Sequence, residues 1–306
     1  MRAFNLMELK LKHSRWVMRS HGLQARLLEL DNGSCIHCWL PAATASSQPP
    51  LLLLHGFGAE GTFNWERQVA SLAKHYSLYI PDLLFFGQST TTNKQRSEIF
   101  QAECMFAMME KLGVGPCIVC GHSYGGFVAY RMAHRYPSYV KRLIIISSGI
   151  LMDTTTSSTP LIEKFGASTI EEILIPHDIF DFKKSLTFIF HRLPWLPSFI
   201  LKDIFELLSG DRQGRHELLH GLILGKKNAT PLPKINQDAL IIWGDHDQVF
   251  NLDLAHSLKE FLGDQATLTI IEHVGHMPHM EKPKDVNNSI LQFLSPCKTS
   301  KTSNGK

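Results

Sequence analysis

Three separated blocks of the chain carry residue types suited to nucleophilic chemistry. Ser123 stands in Gly121-His122-Ser123-Tyr124-Gly125-Gly126, a G-x-S-x-G run between the apolar residues 117–120 and a helix-forming stretch over 125–135. A serine hydroxyl is a weak nucleophile until a neighbouring base takes its proton. A serine on a sharp strand-to-helix turn is lifted above the sheet, where such a base can reach it. Gly121 and Gly125 lack the side chains that would hold strand and helix apart there, and Ala129 keeps the helix face behind them small. The base must come from another segment. The apolar run 267–271 leads into Glu272-His273-Val274-Gly275-His276-Met277-Pro278-His279. Of its three histidines, His276, following Gly275 in the loop, is the expected general base. His273 and His279 are expected to serve at the surface or in packing. A carboxylate should then hold the imidazole in the right tautomer. The run 239–243 ends at Gly244-Asp245-His246-Asp247, and spacing alone does not separate Asp245 from Asp247.

Acyl chemistry at a serine also needs donors for the developing oxyanion. Residues 51–54 lead into His55-Gly56-Phe57-Gly58. The main-chain N–H groups of Phe57 and of Tyr124, the residue after the serine, are the expected donors. The same stretch spells G-x-G-x-x-G (Gly56, Gly58, Gly61), with Asp82 about 20 residues on, the spacing of a dinucleotide-binding loop and its ribose-binding acid. That reading accounts for one loop, whereas the serine–histidine–aspartate reading accounts for three. No cofactor is therefore expected, and Asp82 is expected to stabilise its own turn. Two CxxC spacings, Cys35/Cys38 and Cys117/Cys120, lie in strand-like runs. Residues three apart on a strand point to opposite faces, so buried thiols are expected rather than a metal site. Metal binding by His273, His276 and His279 is likewise not expected, because Pro278 breaks their spacing.

The elements that must position these residues alternate. Residues 23–30 and 34–40 read as strands around the turn Asp31-Asn32-Gly33. Strands at 51–54, 78–80, 117–120 and 143–147 are separated by helical stretches at 65–75, 97–112 and 125–135. Such β-α-β alternation predicts a parallel sheet covered by helices on both faces, with its chemistry in loops at the carboxyl ends of the strands. The rhythm stops after Ser148. Residues 151–232 read as helices rich in large apolar side chains (Phe165, Phe180, Phe182, Phe188, Phe190, Trp195, Phe199, Phe205), and alternation resumes at 239–243. The expected organisation is an α/β core over 20–150 and 233–296, an inserted helical region over 151–232, an N-terminal segment 1–19, and a polar, disordered tail 297–306.

Composition excludes several other classes. The 306 residues are 44% hydrophobic and 19% charged, with a formal net charge of +3. These are the proportions of a soluble globular chain. The basic residues are scattered, without the stripe of a nucleic-acid binder. No apolar run reaches the length of a membrane span. Glu8, Lys10 and Lys12 interrupt any signal-peptide core, which with unpaired cysteines points to the cytoplasm. Residues 4–18 mix apolar and basic side chains. They are read as a helix packed on the domain that would also suit weak contact with a membrane surface.

With these blocks in place, the chain resembles the α/β-hydrolase superfamily over about residues 20–296. The matching motifs are His55-Gly56-Phe57-Gly58, Asp82 through Gly87-Gln88-Ser89, Gly121 through Gly126, Gly244 through Asp247, and Gly275-His276-Met277-Pro278 with Glu281 and Pro283. The order Ser, Asp, His along the chain is the order of that fold. The resemblance implies a mostly parallel sheet of about eight strands, Asp247 rather than Asp245 as the acid, and residues 151–232 as a lid or cap inserted after the sixth strand. The block 81–89 is similar to a plant subgroup described as epoxide-hydrolase-like or monoacylglycerol-lipase-like, except that Phe85 stands where a glycine is usual. Superfamily members that open epoxides carry an aspartate at the elbow, so Ser123 implies acyl transfer instead. The expected activity is cleavage of an apolar carboxylic ester or thioester, or an acylglycerol. A slow-turnover ligand receptor and an acyltransferase or carbon–carbon lyase are the alternatives on the same scaffold.

Overall fold

The computed structural model describes residues 6–42, 47–58, 60–152, 159–193, 195–223 and 232–295. The expected tail, part of the loop after residue 41, Pro194 and Pro231 lie outside these residues. Helix α1 (Leu6–Ser20) precedes a hairpin of β1 (Leu23–Glu29) and β2 (Ser34–Pro41), paired antiparallel from Leu23↔Pro41 to Glu29↔Cys35. Gly33 closes the turn with φ of 81°, a left-handed conformation that glycine adopts at little cost. The alternation then follows: β3 (Pro50–Leu54), α2 (Gly61–Leu72), β4 (Ser77–Pro81), β5 (Thr90–Thr91), α3 (Glu98–Lys111), β6 (Cys117–His122), α4 (Tyr124–Arg135) and β7 (Val140–Ile146). Among the described residues five helices come next: α5 (Thr159–Phe165), α6 (Ile170–Leu174), α7 (Ile179–Ile189), α8 (Ser198–Leu208) and α9 (Arg212–Gly221). The chain returns through β8 (Asp238–Gly244), α10 (Leu252–Leu262), β9 (Ala266–Ile271), α11 (Pro278–Glu281) and α12 (Pro283–Leu294).

The sheet runs β1-β2-β4-β3-β6-β7-β8-β9, with β5 paired to β2. Every pair from β4 through β9 is parallel. The count among the described residues is nine rather than about eight because β5 has only two residues, too short to register as an apolar run. The central strand shows why the sheet holds. Leu51 to Leu54 are all fully buried, yet they serve two faces. Leu51 and Leu53 pack with Trp65, Val69 and Leu72 of α2 and Val286 and Ile290 of α12. Leu52 and Leu54 pack with Met105 and Met108 of α3 and Val128 and Met132 of α4. Side chains alternate across a strand, so a continuous apolar run is what a doubly covered parallel strand requires.

The same alternation separates the cysteines: Cys117 joins one core and Cys120 the other. Burial pushes the Cys117 thiol up to about 12 and raises those of Cys38 and Cys120 as well, so they pack as neutral thiols. Helix α1 docks on α2, where Lys10 and Ser14 both bond the Glu66 carboxylate and Met18 is buried, while Trp16 stays exposed. No helix among the described residues is long and apolar enough to cross a membrane.

The segment between β7 and β8 builds two small cores of its own, one around Phe165 and Phe188 and one around Phe182, Leu186 and Leu201. Phe180, Trp195 and Phe199 face solvent. Its far end is tied to the main core through Glu98 of α3. That buried carboxylate accepts two N–H bonds from Arg131 of α4, at 2.9 and 2.8 Å, and the Ile223 amide at 2.9 Å.

Candidate active site

Ser123 sits between β6 and α4 with φ of 51° and ψ of −119°. This conformation costs a residue with a side chain about 1–3 kcal/mol. The turn is held from both sides. The Ser123 N–H donates to the Ile146 carbonyl at 2.9 Å, and its own carbonyl accepts from the Gly126 N–H at 2.8 Å and the Ser148 hydroxyl at 2.7 Å. Glycine is required where helix and strand touch: a Cβ on Gly125 would lie 2.5 Å from the His55 carbonyl oxygen and collide with that of Leu54.

His276 and Asp247 reach this serine from the loops after β9 and β8. His276 Nε2 lies 2.9 Å from Ser123 Oγ, and His276 Nδ1 lies 2.9 Å from Asp247 Oδ2. The other Asp247 oxygen accepts the N–H groups of Val249 and Phe250, each at 2.9 Å. A carboxylate so fixed accepts from Nδ1–H and leaves the Nε2 lone pair directed at the serine hydroxyl. The His276 loop is anchored by its own N–H to the Ile189 carbonyl at 2.8 Å. Glu281 takes the Gly275 N–H on one oxygen at 2.7 Å and the His191 N–H on the other at 3.0 Å. Asp245 faces elsewhere, accepting from His246 Nδ1 at 2.7 Å and the Val274 N–H at 3.3 Å. Of the two carboxylates that spacing left open, the fold brings Asp247 to the imidazole.

The other histidines of these motifs also find places. His273 is exposed and His279 is fully buried against Trp65, ring centroids 5.1 Å apart. His279 Nε2 accepts from the Asn64 amide at 3.0 Å, and its carbonyl accepts from Gln68 at 2.8 Å. His122, between Gly121 and Ser123 of the serine motif, is buried and donates from Nε2 to the His276 carbonyl at 3.0 Å. Burial, reinforced by His279 and His276, holds His122 well below its ordinary pKa; burial, then His276, takes His279 down to about 3. Both are neutral struts beneath the site. Sequence reasoning missed His122 and Asn64, whose roles depend on partners far along the chain.

The loop before α2 closes the site opposite the histidine. A Cβ on Gly56 would lie 2.6 Å from His122 Nδ1 and 3.2 Å from Ser123 Cβ, so the backbone there abuts the elbow. His55 fixes that loop, donating from Nδ1 to the Gly56 carbonyl and accepting the Leu83 N–H at Nε2, each at 2.8 Å. Phe57 and Tyr124 line the same cavity as Ser123. Tyr124 opens α4, and the first N–H groups of a helix have no acceptor within it. Asp82 is wholly buried. It accepts from the Gly61 N–H at 2.9 Å, His37 Nδ1 at 2.8 Å and the Gln88 N–H at 3.1 Å. These bonds tie the turn after β4 to β2 and to the start of α2. Phe85, at the position where a glycine is usual, adopts the left-handed conformation itself, with φ of 75° and Arg96 stacked 4.4 Å over its ring.

Ser123 and His276 open onto a cavity of about 810 Å³. Its walls come from the elbow side (Phe57, Phe127) and from the helices between β7 and β8 (Ile173, Phe182, Leu186, Phe205). A serine activated by a fixed imidazole at the floor of an apolar cavity can attack an electrophilic centre on an apolar ligand.

Residues 49–173 match the α/β hydrolase fold family. Lipase 3 of Moraxella sp. (strain TA144) is 28% identical, covering 80% of this chain and 76% of its own length. Epoxide hydrolase 4 of Mus musculus is 25% identical over 86% of this chain and 77% of its own. Among solved structures, a membrane phospholipase A described as a bacterial virulence factor superposes with a TM-score of 0.80 at 27% identity, covering 95% of this chain and 92% of that one. A putative lipase from Acinetobacter baumannii AYE gives 0.80 at 27%, covering 94% and 95%. The chain has the α/β-hydrolase fold, and these similarities support the superfamily that its motifs resemble.

Proposed function

We propose that this protein is a serine hydrolase that cleaves a carboxylic ester or thioester of an apolar small molecule or acylglycerol through an acyl-enzyme. The observation that carries this reading is the unbroken hydrogen-bonded chain Ser123–His276–Asp247, 2.9 Å at each step, at the floor of an apolar cavity. Lipases and a phospholipase among the similar proteins support an ester as substrate. Similarity extends to epoxide hydrolases, but a serine hydroxyl at the elbow suits attack on a carbonyl.

In the proposed reaction Ser123 Oγ adds to the carbonyl carbon while its proton passes to His276 Nε2. Asp247 stabilises the imidazolium. The carbonyl oxygen becomes an oxyanion held by the Phe57 and Tyr124 amides, aided by the positive end of the α4 dipole. Collapse expels the alcohol or thiol with the proton from His276. Water then repeats the sequence on the acyl-enzyme, giving up a proton to His276, which returns it to Ser123 as the acid leaves. Residues 151–232 act as a cap whose apolar side chains receive the acyl or alcohol chain.

The test is labelling with a fluorophosphonate probe, wild type beside Ser123→Ala, with mass mapping of the adduct and a panel of aryl and glycerol esters. An adduct confined to Ser123 and ester turnover that the substitution abolishes are expected. Folded protein that neither labels nor turns over esters refutes the reading and favours a ligand receptor.

A further inference from the structure

Outside the cavity, three histidines converge where the inserted helices meet the loops of the triad. His191 follows α7, His246 lies between Asp245 and Asp247, and His273 lies in the loop that leads to His276. The ring centroids of His191 and His246 are 4.1 Å apart, those of His246 and His273 6.0 Å, and those of His191 and His273 6.4 Å. One ring nitrogen from each falls within 4.8 Å of the other two. Neutral imidazole is the commonest protein ligand for zinc-class divalent ions, which three histidines bind with a fourth position left to water. Bonds of about 2.1 Å in tetrahedral geometry need nitrogens about 3.4 Å apart. The ring nitrogens, within 4.8 Å of one another, therefore close by up to about 1.4 Å when an ion binds.

Two further features fit the chemistry. His246 Nδ1 donates to Asp245 Oδ1 at 2.7 Å. This leaves Nε2 as the free lone pair, in the carboxylate–histidine pairing that orients imidazoles toward metals. The main chains of the three segments are also fixed to one another. The His246 N–H bonds the Val274 carbonyl at 3.0 Å, the His276 N–H bonds the Ile189 carbonyl at 2.8 Å, and Glu281 joins His191 to Gly275. The backbones that carry the imidazoles are thus positioned before any ion arrives.

We propose that His191, His246 and His273 bind one divalent transition-metal ion of the zinc class, clasping the end of α7 to the two loops that carry Asp247 and His276. Magnesium and calcium are excluded as occupants because they demand oxygen ligands. Binding here does not depend on whether Ser123 is a nucleophile. What it governs is how firmly the inserted helices are held against the triad loops.

The experiment uses full-length protein without a histidine tag, stripped with a chelator and titrated with Zn²⁺ by calorimetry. Amide hydrogen exchange over residues 189–193 and 272–276 is followed in parallel. One equivalent of Zn²⁺ is expected, with exchange slowed in both segments. His246→Ala and His273→Ala are each expected to weaken binding about tenfold or more, and Asp245→Asn to weaken it by about tenfold. Both histidines are exposed, so their replacement leaves the core intact. Thermal melts of the variants check this. Binding that survives the His246→Ala/His273→Ala double substitution, or the absence of saturable binding by wild type, overturns the proposal.

Discussion

Acid is expected to destabilise this protein through histidines buried in their neutral form, and His279 allows the effect to be isolated. In the unfolded chain this imidazole takes up a proton near 6.5; in the fold, burial and then His276 depress its pKa to about 3. Between those values the unfolded state binds the extra proton and the folded state does not. Unfolding free energy therefore falls as pH falls, by about 1.4 kcal/mol per pH unit once the unfolded group is fully protonated. Integrated from pH 7 to pH 5, His279 alone removes about 2 kcal/mol, a sizeable part of the stability of an ordinary domain. His122 is depressed for the same reasons and adds a loss of the same sign. Replacing His279 with glutamine keeps an acceptor for Asn64 and takes away the titrating group. Urea unfolding followed by tryptophan fluorescence, at pH 7 and pH 5, gives the stability difference for each protein. His279→Gln is expected to lose about 2 kcal/mol less on acidification than wild type, whatever its absolute stability. An equal pH loss in His279→Gln and wild type would refute the argument that His279 is held neutral.

Three other substitutions probe the site and its frame. Asp247→Asn removes the charge that stabilises the imidazolium and is expected to lower kcat by about four orders of magnitude with little change in KM, read with a chromogenic ester. Loss of only a few-fold would remove Asp247 from the proposed triad. Gly125→Ala drives a methyl against the Leu54 and His55 carbonyls; thermal melting should show a loss of about 1–3 kcal/mol, together with loss of probe labelling. Arg131→Met strands the buried Glu98 carboxylate, at about 3–5 kcal/mol in urea unfolding, and adding Glu98→Gln should restore part of it.

The strands were legible because their signal is local. Residues 51–54, 117–120 and 239–243 are apolar without interruption, as a strand covered on both faces requires, and the helical stretches between them settle the alternation. The serine elbow was legible for a similar reason: Gly121 and Gly125 mark a backbone approach that side chains forbid. Asp245 and Asp247 could not be separated by spacing, since both follow one glycine turn. What distinguishes them is that Val249 and Phe250 turn their amides toward Asp247, leaving its second oxygen for His276. Among the inserted helices, composition marked Phe180, Trp195 and Phe199 as apolar alongside Phe182 and Phe188. Yet the first three face water and the last two are core, a distinction set by which face of each helix meets a neighbour.

Histidine shows where local reading stops. The chain has 16 of them, and nothing in a residue type says what its two nitrogens will meet. His276 meets a carboxylate on one side and a hydroxyl on the other, so it can pass a proton between them. His122 and His279 are sealed in the core next to it and stay neutral. His191, His246 and His273 come from three segments distant in sequence and meet at an exposed seam, where free ring nitrogens suit a cation. Each role follows from burial and partner rather than from motif. That is why His276 could be singled out beside a glycine turn, while the seam histidines emerge only once the end of α7 meets the loops after β8 and β9.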